Sequence, residues 1–200
     1  MSSELYFIYD SHCPWSYAAT PLVVALDEAF PEMEVHVWHC ANYDGSNSVG
    51  FNTIKAVEKE SDVPFSQEYV RFADSPKNSI ICANLLTWIA TKQSDKLLPV
   101  LQALQHAHFV EGNSLGKKID FNELAEDLKL SIPNKVFKEE LSKDAMFTLS
   151  DINDLQGFMG TVSIPALLLV HNDNAVLLNH AQYIGDPQSI VADVQKQLED

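Results

Sequence analysis

Five consecutive apolar, β-favouring residues, Leu5-Tyr6-Phe7-Ile8-Tyr9, run into Asp10-Ser11. A run of that length without polar alternation predicts a strand buried on both faces. From Pro14 onward the apolar positions Trp15, Ala18, Leu22, Val23, Leu26 and Phe30 recur at helical spacing. Pro14 is compatible with such a helix because it sits in the first turn, whereas Pro21 falls inside and is expected to kink it. Glu34-Val35-His36-Val37-Trp38-His39-Cys40 alternates, placing Val35, Val37 and His39 on one face of a second strand. Two strands joined through a helix should lie parallel with a right-handed crossover.

Beyond the Asn-, Ser- and Gly-rich stretch from Asn42 to Gly50 the strand signals stop, and residues 49–147 read as a helical block. Ile80, Ile81, Ala83, Leu85, Trp88 and Ile89 pattern one helix, and Leu97, Leu98, Leu101, Leu104 and His108 the next, divided at Ser94-Asp95. Asp120-Phe121-Asn122-Glu123 has the form of a capping box, with Asp120 accepting from the residue three further on. Pro133 is expected to open a short helix through Met146, and Ser150-Asp151 to cap another that ends near Gly157 or Gly160. Ala166 to Val170 reads as a strand, paired through a turn at Asn172-Asp173-Asn174 with Ala175 to Leu178. Asp186-Pro187 then predicts the start of a last helix, with Ile190, Val191, Val194 and Leu198 inward. The order is β-α-β, a helical block, then α-β-β-α. Trp38 and Trp88 fit a core.

With 200 residues, 46% of them hydrophobic, the chain can bury a sizeable core, so general disorder is excluded. The 13 Lys+Arg against 28 Asp+Glu give a net charge of −15, which argues against nucleic acid as a partner. No apolar run reaches the roughly 20 residues of a membrane span, and Met1 to Tyr9 lacks the basic flank of a signal peptide. The expectation is a cytoplasmic protein without membrane contact. Cys13, Cys40 and Cys82 are too few for a disulfide scaffold and must be weighed singly.

Cys13 stands between the first strand and the first helix, where unpaired amides and the positive end of the helix dipole favour a thiolate. The surrounding string is Asp10-Ser11-His12-Cys13-Pro14-Trp15-Ser16-Tyr17, a Cys-x-x-Ser. Together with Ile164-Pro165 ahead of a strand in the second half, it resembles the thioredoxin superfamily, and its DsbA-like branch in particular. That resemblance implies an α/β, thioredoxin-like fold formed by residues 1–48 and 148–200, with residues 49–147 as an inserted all-helical domain. It also implies a cis bond before Pro165, which faces Cys13 and pairs through the Ile164 backbone with an extended substrate. Trp15 and His12 would flank the sulfur, and a cationic His12 would stabilise the thiolate.

Ser16 replaces the second cysteine of a Cys-x-x-Cys pair, so the motif cannot form its own disulfide and Cys13 depends on an external thiol. The chemistry implied is monothiol exchange or isomerisation of disulfides, with Cys13 and Ser16 as catalytic residues and His12, Pro14, Trp15, Ile164 and Pro165 binding substrate. Protein or small-molecule thiols and disulfides are the partners, glutathione is a possible co-substrate, and no tightly bound cofactor is called for. FrnE-like oxidoreductases share Pro14 and Trp15 at this site. Kappa-class glutathione transferases and 2-hydroxychromene-2-carboxylate isomerases share the inserted helical domain but carry serine where Cys13 stands. A glutathione-dependent transferase or isomerase acting on a small aromatic substrate is therefore one alternative, and a redox-inactive peptide-binding module is another. Common practice among soluble proteins adds a homodimer to the expectations.

Cys40, at the end of the second strand, emerges at the same sheet edge as Cys13 and could serve as a displaced resolving thiol. Cys82 lies within an apolar helix and reads as a packed thiol. His36 and His39 fall on opposite strand faces, so no metal site is expected. His106 and His108 are read as favourable charges at a helix C-terminus.

Overall fold

The computed structural model describes residues 3–172 and 174–199. Its centre is a four-stranded sheet in the order β2-β1-β3-β4. Strand β1 spans Ser3–Tyr9, β2 Glu34–His39, β3 Ala166–His171 and β4 Asn174–Leu178. β1 pairs in parallel with β2, Tyr9 opposite His39, and antiparallel with β3, Ile8 opposite Ala166; β3 and β4 form an antiparallel hairpin. Asp173, assigned above to the hairpin turn, lies outside the described residues, and Asn174 already belongs to β4.

β1 is buried on both faces, as an apolar run without alternation demands. Leu5, Phe7 and Tyr9 join Leu167 and Leu169 in a core with Leu22 and Leu26 of α1 (Pro14–Ala29) and Ile190 and Val194 of α8 (Ser189–Glu199). On the opposite face Ile8 and Ala166 pack on Ile152 of α7 (Lys143–Met159). Each fully buried large aliphatic side chain contributes about 1.5–3 kcal/mol. α1 runs uninterrupted through Pro21. Trp38 and Trp88 are half-buried, packed at the margins of the core instead of within it.

Between β2 and α7 lie α2 (Phe51–Glu60), α3 (Gln67–Val70), α4 (Ile80–Lys92), α5 (Leu97–Phe109) and α6 (Asn122–Asp127). Asn84, buried in α4, binds this region to α7: its amide donates to the carbonyls of Val136 (3.3 Å), Lys138 (3.4 Å) and Glu140 (3.0 Å), and its side-chain oxygen accepts from the Ser142 amide at 2.7 Å. Among the described residues no helix is long and apolar enough to cross a membrane.

Three element boundaries differ from expectation. α7 starts at Lys143, with the Ser142 hydroxyl accepting from the Ala145 amide at 3.1 Å, so Ser150-Asp151 is helix interior and a division at residue 147 would cut the helix. The segment after Pro133 is a single 3₁₀ turn, Asn134–Phe137. α8 starts at Ser189, whose amide (3.0 Å) and hydroxyl (2.6 Å) both donate to the Asp186 carbonyl, so Asp186-Pro187 forms a preceding turn and not a cap. Asp120 likewise reaches backward, accepting from the amides of Gly116 (2.9 Å) and Lys117 (3.0 Å).

Candidate active site

The chain leaves β1 at Tyr9, turns through Asp10, Ser11 and His12, and enters α1 at Pro14, with Cys13 as the N-cap residue in extended conformation. The turn closes with the Cys13 amide donating to the Asp10 carbonyl at 3.1 Å, and the Tyr17 amide then begins the helix on the Cys13 carbonyl at 2.9 Å. Pro14 occupies the first helical position, where no amide is needed.

The turn is held from inside by the carboxylate of Asp10, a fully buried residue. It accepts from the His12 amide at 2.8 Å, the Asn42 amide at 2.6 Å, the Tyr43 amide at 3.3 Å and the Ser79 hydroxyl at 2.7 Å. The strand end, the loop after β2 and the entry to α4 therefore converge on one charge. A buried carboxylate persists only when its lone pairs are met, and four donors meet them here. Nothing local marks Asp10 for this role, because three of the donors come from 32 to 69 residues away.

Cys13 is 7% exposed and packs with Tyr43, Ile54, Tyr69 and Phe109, against which Trp15, Tyr17 and Ile164 also pack. The Ile164–Pro165 peptide bond is cis. Cys13, Trp15 and Ile164 thus share one cluster, with Pro14 and Pro165 buried beside them. Ser16 is fully buried, and its hydroxyl accepts from the Asp10 amide at 3.3 Å.

The electrostatics reverse two expectations. Burial pushes the Cys13 thiol up from its ordinary value and the Asp10 charge adds to this, while the amide and hydroxyl of Ser16 and the amide of Trp15 pull it down as hydrogen-bond donors. The resting thiol is protonated, because loss of water outweighs the helix end. His12 is neither cationic nor an exposed loop residue: it is fully buried, and burial holds it down at about 4. Its Nε2–H faces the Ser114 carbonyl at 3.3 Å and its Nδ1 accepts from the Ser11 hydroxyl at 3.0 Å, a network that fixes a neutral ring. Trp15 and Ile164 are partly exposed beside the sulfur, whereas His12 is fully buried.

His108 also departs from its expected role at the end of α5. It is buried, lies against His12 with ring centroids 3.9 Å apart and the planes tilted by 38°, and donates from Nδ1 to the Asn113 carbonyl at 2.8 Å. His106 stays exposed near Glu111, at 3.5 Å. Cys82 is fully buried, and burial also drives Cys40 far above the ordinary thiol range, leaving both poor nucleophiles at neutral pH.

Burial of neutral histidine makes stability pH-dependent. The unfolded chain takes up a proton at His12 near 6.5 and the folded chain only near 4, so this stabilisation is complete above 6.5 and fades as pH falls toward 4, about 3 kcal/mol in all. His39 and His108, lowered for the same reason, act in the same direction. The urea midpoint should fall steeply between pH 6.5 and 4.5, less so in His12→Asn; parallel profiles would contradict this.

No protein-family model matches this chain, and no curated protein matches it in sequence. Solved structures do. Cytosolic disulfide reductase DsbM from Pseudomonas aeruginosa, in a structure with GSH, matches with a TM-score of 0.83 and 21% identity over 98% of this chain and 100% of that one. A protein from Nitrosomonas europaea, provisionally assigned as a protein disulfide isomerase, matches over the whole of both chains at a TM-score of 0.73 and 16% identity. A periplasmic thioredoxin-like protein from Salmonella enterica serovar Typhimurium follows at 0.57 and 12%, over 99% of this chain and 85% of its own. At such identities the likeness shows the fold, a thioredoxin-like α/β sheet with a helical segment between its strand pairs.

Proposed function

We propose that the chain is a monothiol thiol–disulfide oxidoreductase in which Cys13 exchanges disulfides with glutathione as the external thiol. The observation that carries the reading is the placement of Cys13 as the N-cap residue of α1 with Ile164 packed in the same cluster, where the Ser16 amide and hydroxyl and the Trp15 amide act to lower its pKa against burial. Donors fixed where negative charge develops assist a thiol that is protonated at rest and ionises as it attacks. The Cys13 sulfur bonds to the glutathionyl sulfur of a mixed disulfide, and the other sulfur departs as a thiol, taking up through water the proton that Cys13 gives up. A second glutathione then attacks the Cys13 mixed disulfide, frees the Cys13 thiolate and leaves as oxidised glutathione. Ser16 cannot form a bridge, so both steps need the external thiol.

In this reading Trp15, Pro14, Ile164 and Pro165 seat the substrate, Ser16 tunes the sulfur and His12 holds the turn. The relative determined with GSH is a disulfide reductase, which agrees with glutathione as the partner thiol. The test is intact-mass analysis with peptide mapping after brief exposure of the reduced protein to oxidised glutathione. One adduct, on Cys13 and absent from Cys13→Ser, is expected, with Cys40 and Cys82 unmodified. Adducts on Cys40, or none under conditions that modify a model thiol, would refute the proposal.

A further inference from the structure

Two phenols belong to the cluster around Cys13, and the exchange reaction set out above uses neither. Tyr43 comes from the loop after β2 and is 8% exposed; Tyr69 comes from α3 and is 3% exposed. Both are held by their backbones. The Tyr43 amide donates to Asp10, the carboxylate that also fixes the Cys13 turn, and its carbonyl accepts from the Ser79 amide at 2.9 Å. The Tyr69 amide donates to the Ser66 hydroxyl at 3.1 Å, and its ring meets those of His108 and Phe109 at 67° and 72°, with centroids 5.1 and 4.9 Å away.

The Tyr69 hydroxyl is buried and has no hydrogen-bond partner. Buried polar groups are nearly always partnered, so a firmly held donor left idle needs a reason. The neighbouring sulfur supplies one. Cys13 is a free thiol, protonated at rest, and a thiol is a weak acceptor. A thiolate in the same place accepts strongly, since hydrogen bonds to a charged partner are about twice as strong as neutral ones. Donors idle beside the neutral sulfur therefore gain their partner only as charge forms, which lowers the barrier without stabilising the resting state. Of the titratable groups around Cys13, Asp10 is the carboxylate, while Tyr17, Cys40, Tyr43 and Tyr69 are all raised by burial and stay neutral at neutral pH. After burial, Cys13 acts most strongly on Tyr43, and Tyr43 on Tyr69, which orders the three groups in a row.

We propose that Tyr43 and Tyr69 form a donor pair for the Cys13 sulfur, Tyr43 donating to the thiolate as it forms and Tyr69 donating to the Tyr43 oxygen behind it. In the resting thiol the row is open, because the Tyr69 hydroxyl has no partner, and the charge draws it closed. The phenols lend hydrogen bonds and keep their protons; the thiol proton leaves to water. Tyr43 touches the reacting sulfur, and Tyr69 is a positioning residue that acts through it.

This inference rests on the exchange chemistry assigned to Cys13, but it can be read without glutathione. The test follows alkylation of Cys13 by iodoacetamide against pH in the full chain, with peptide mapping to assign the adduct. Tyr43→Phe is expected to move the midpoint up by about one pH unit, an about tenfold loss of rate at neutral pH, and Tyr69→Phe by about half a unit, roughly threefold. The double variant should match Tyr43→Phe, because Tyr69 acts only through it. Tyr69→Phe removes an idle buried hydroxyl, so the thermal midpoint of the reduced protein should hold or rise. A wild-type alkylation profile in either single variant, shifts that add in the double variant, or a lowered thermal midpoint with an unmoved profile in Tyr69→Phe would each overturn the pair. Failure of glutathione exchange with these shifts intact would sink the oxidoreductase reading and spare the donor pair; unshifted profiles with normal glutathionylation of Cys13 would do the reverse.

Discussion

Cys13→Ser is expected to bring glutathione-dependent reduction of a small mixed disulfide down to the uncatalysed rate, because the sulfur is the only group at the start of α1 able to form and break the exchanged bond. The variant should keep its fold, since a serine fits the volume of a thiol that caps the helix through its backbone alone. Ser16→Ala provides the graded counterpart. It removes the hydroxyl that holds the Cys13 pKa down while leaving the Ser16 amide in place. The thiolate fraction at neutral pH then falls, and each pKa unit is worth about tenfold. Alkylation of Cys13 by iodoacetamide, followed against pH, should slow several-fold with a midpoint displaced upward, and turnover should slow with it. An unchanged profile in Ser16→Ala would remove Ser16 from the mechanism, and residual turnover in Cys13→Ser would remove Cys13.

The largest loss of stability is expected from Asp10→Ala. Four donors, the amides of His12, Asn42 and Tyr43 and the hydroxyl of Ser79, would face a space without an acceptor. Each stranded buried donor costs about 1–3 kcal/mol, and with some relief from entering water the sum should be about 3–5 kcal/mol in urea unfolding. Asp10→Asn separates two duties of the same carboxylate. It retains an acceptor oxygen, so it should cost less, and it deletes the charge that raises Cys13. It should therefore yield a less stable protein with a more readily ionised thiol. If Asp10→Ala unfolded at the wild-type midpoint, the convergence on Asp10 would be incidental.

What the sequence discloses here is largely what neighbours in sequence decide. The unbroken run from Leu5 to Tyr9, the alternation through Val35, Val37 and His39, and the proline at the first turn of α1 are local patterns, and the β-α-β unit follows from them. Cys13, Ser16 and Ile164-Pro165 could be picked out because motif and element order carry them. The caps misled where two local signals competed. Ser142 and Ser150 both precede helical spacing, and only tertiary support distinguishes them: Asn84 fixes the amide of Ser142, while Ser150 is exposed within α7. The burial that sets the titration of Cys13 and His12 is likewise a sum over residues such as Tyr43, Tyr69, Phe109 and Ser114, which reach the site from distant segments. Helix position alone predicts the opposite sign for Cys13.

α7 also gives the molecule a mechanical property. Its 17 residues form a rod of about 25 Å, clamped at its start by the Asn84 bracket and ending at Gly160, just before the loop that leads to Ile164-Pro165. The rod is braced again at mid-length, where Ile152 packs on Ile8 and Ala166, so it ties the helical segment to the sheet beside the loop that carries Ile164. A tug on a polypeptide gripped at Ile164 would reach β3 at once through Pro165 and Ala166, and α7 only through the loop that follows Gly160.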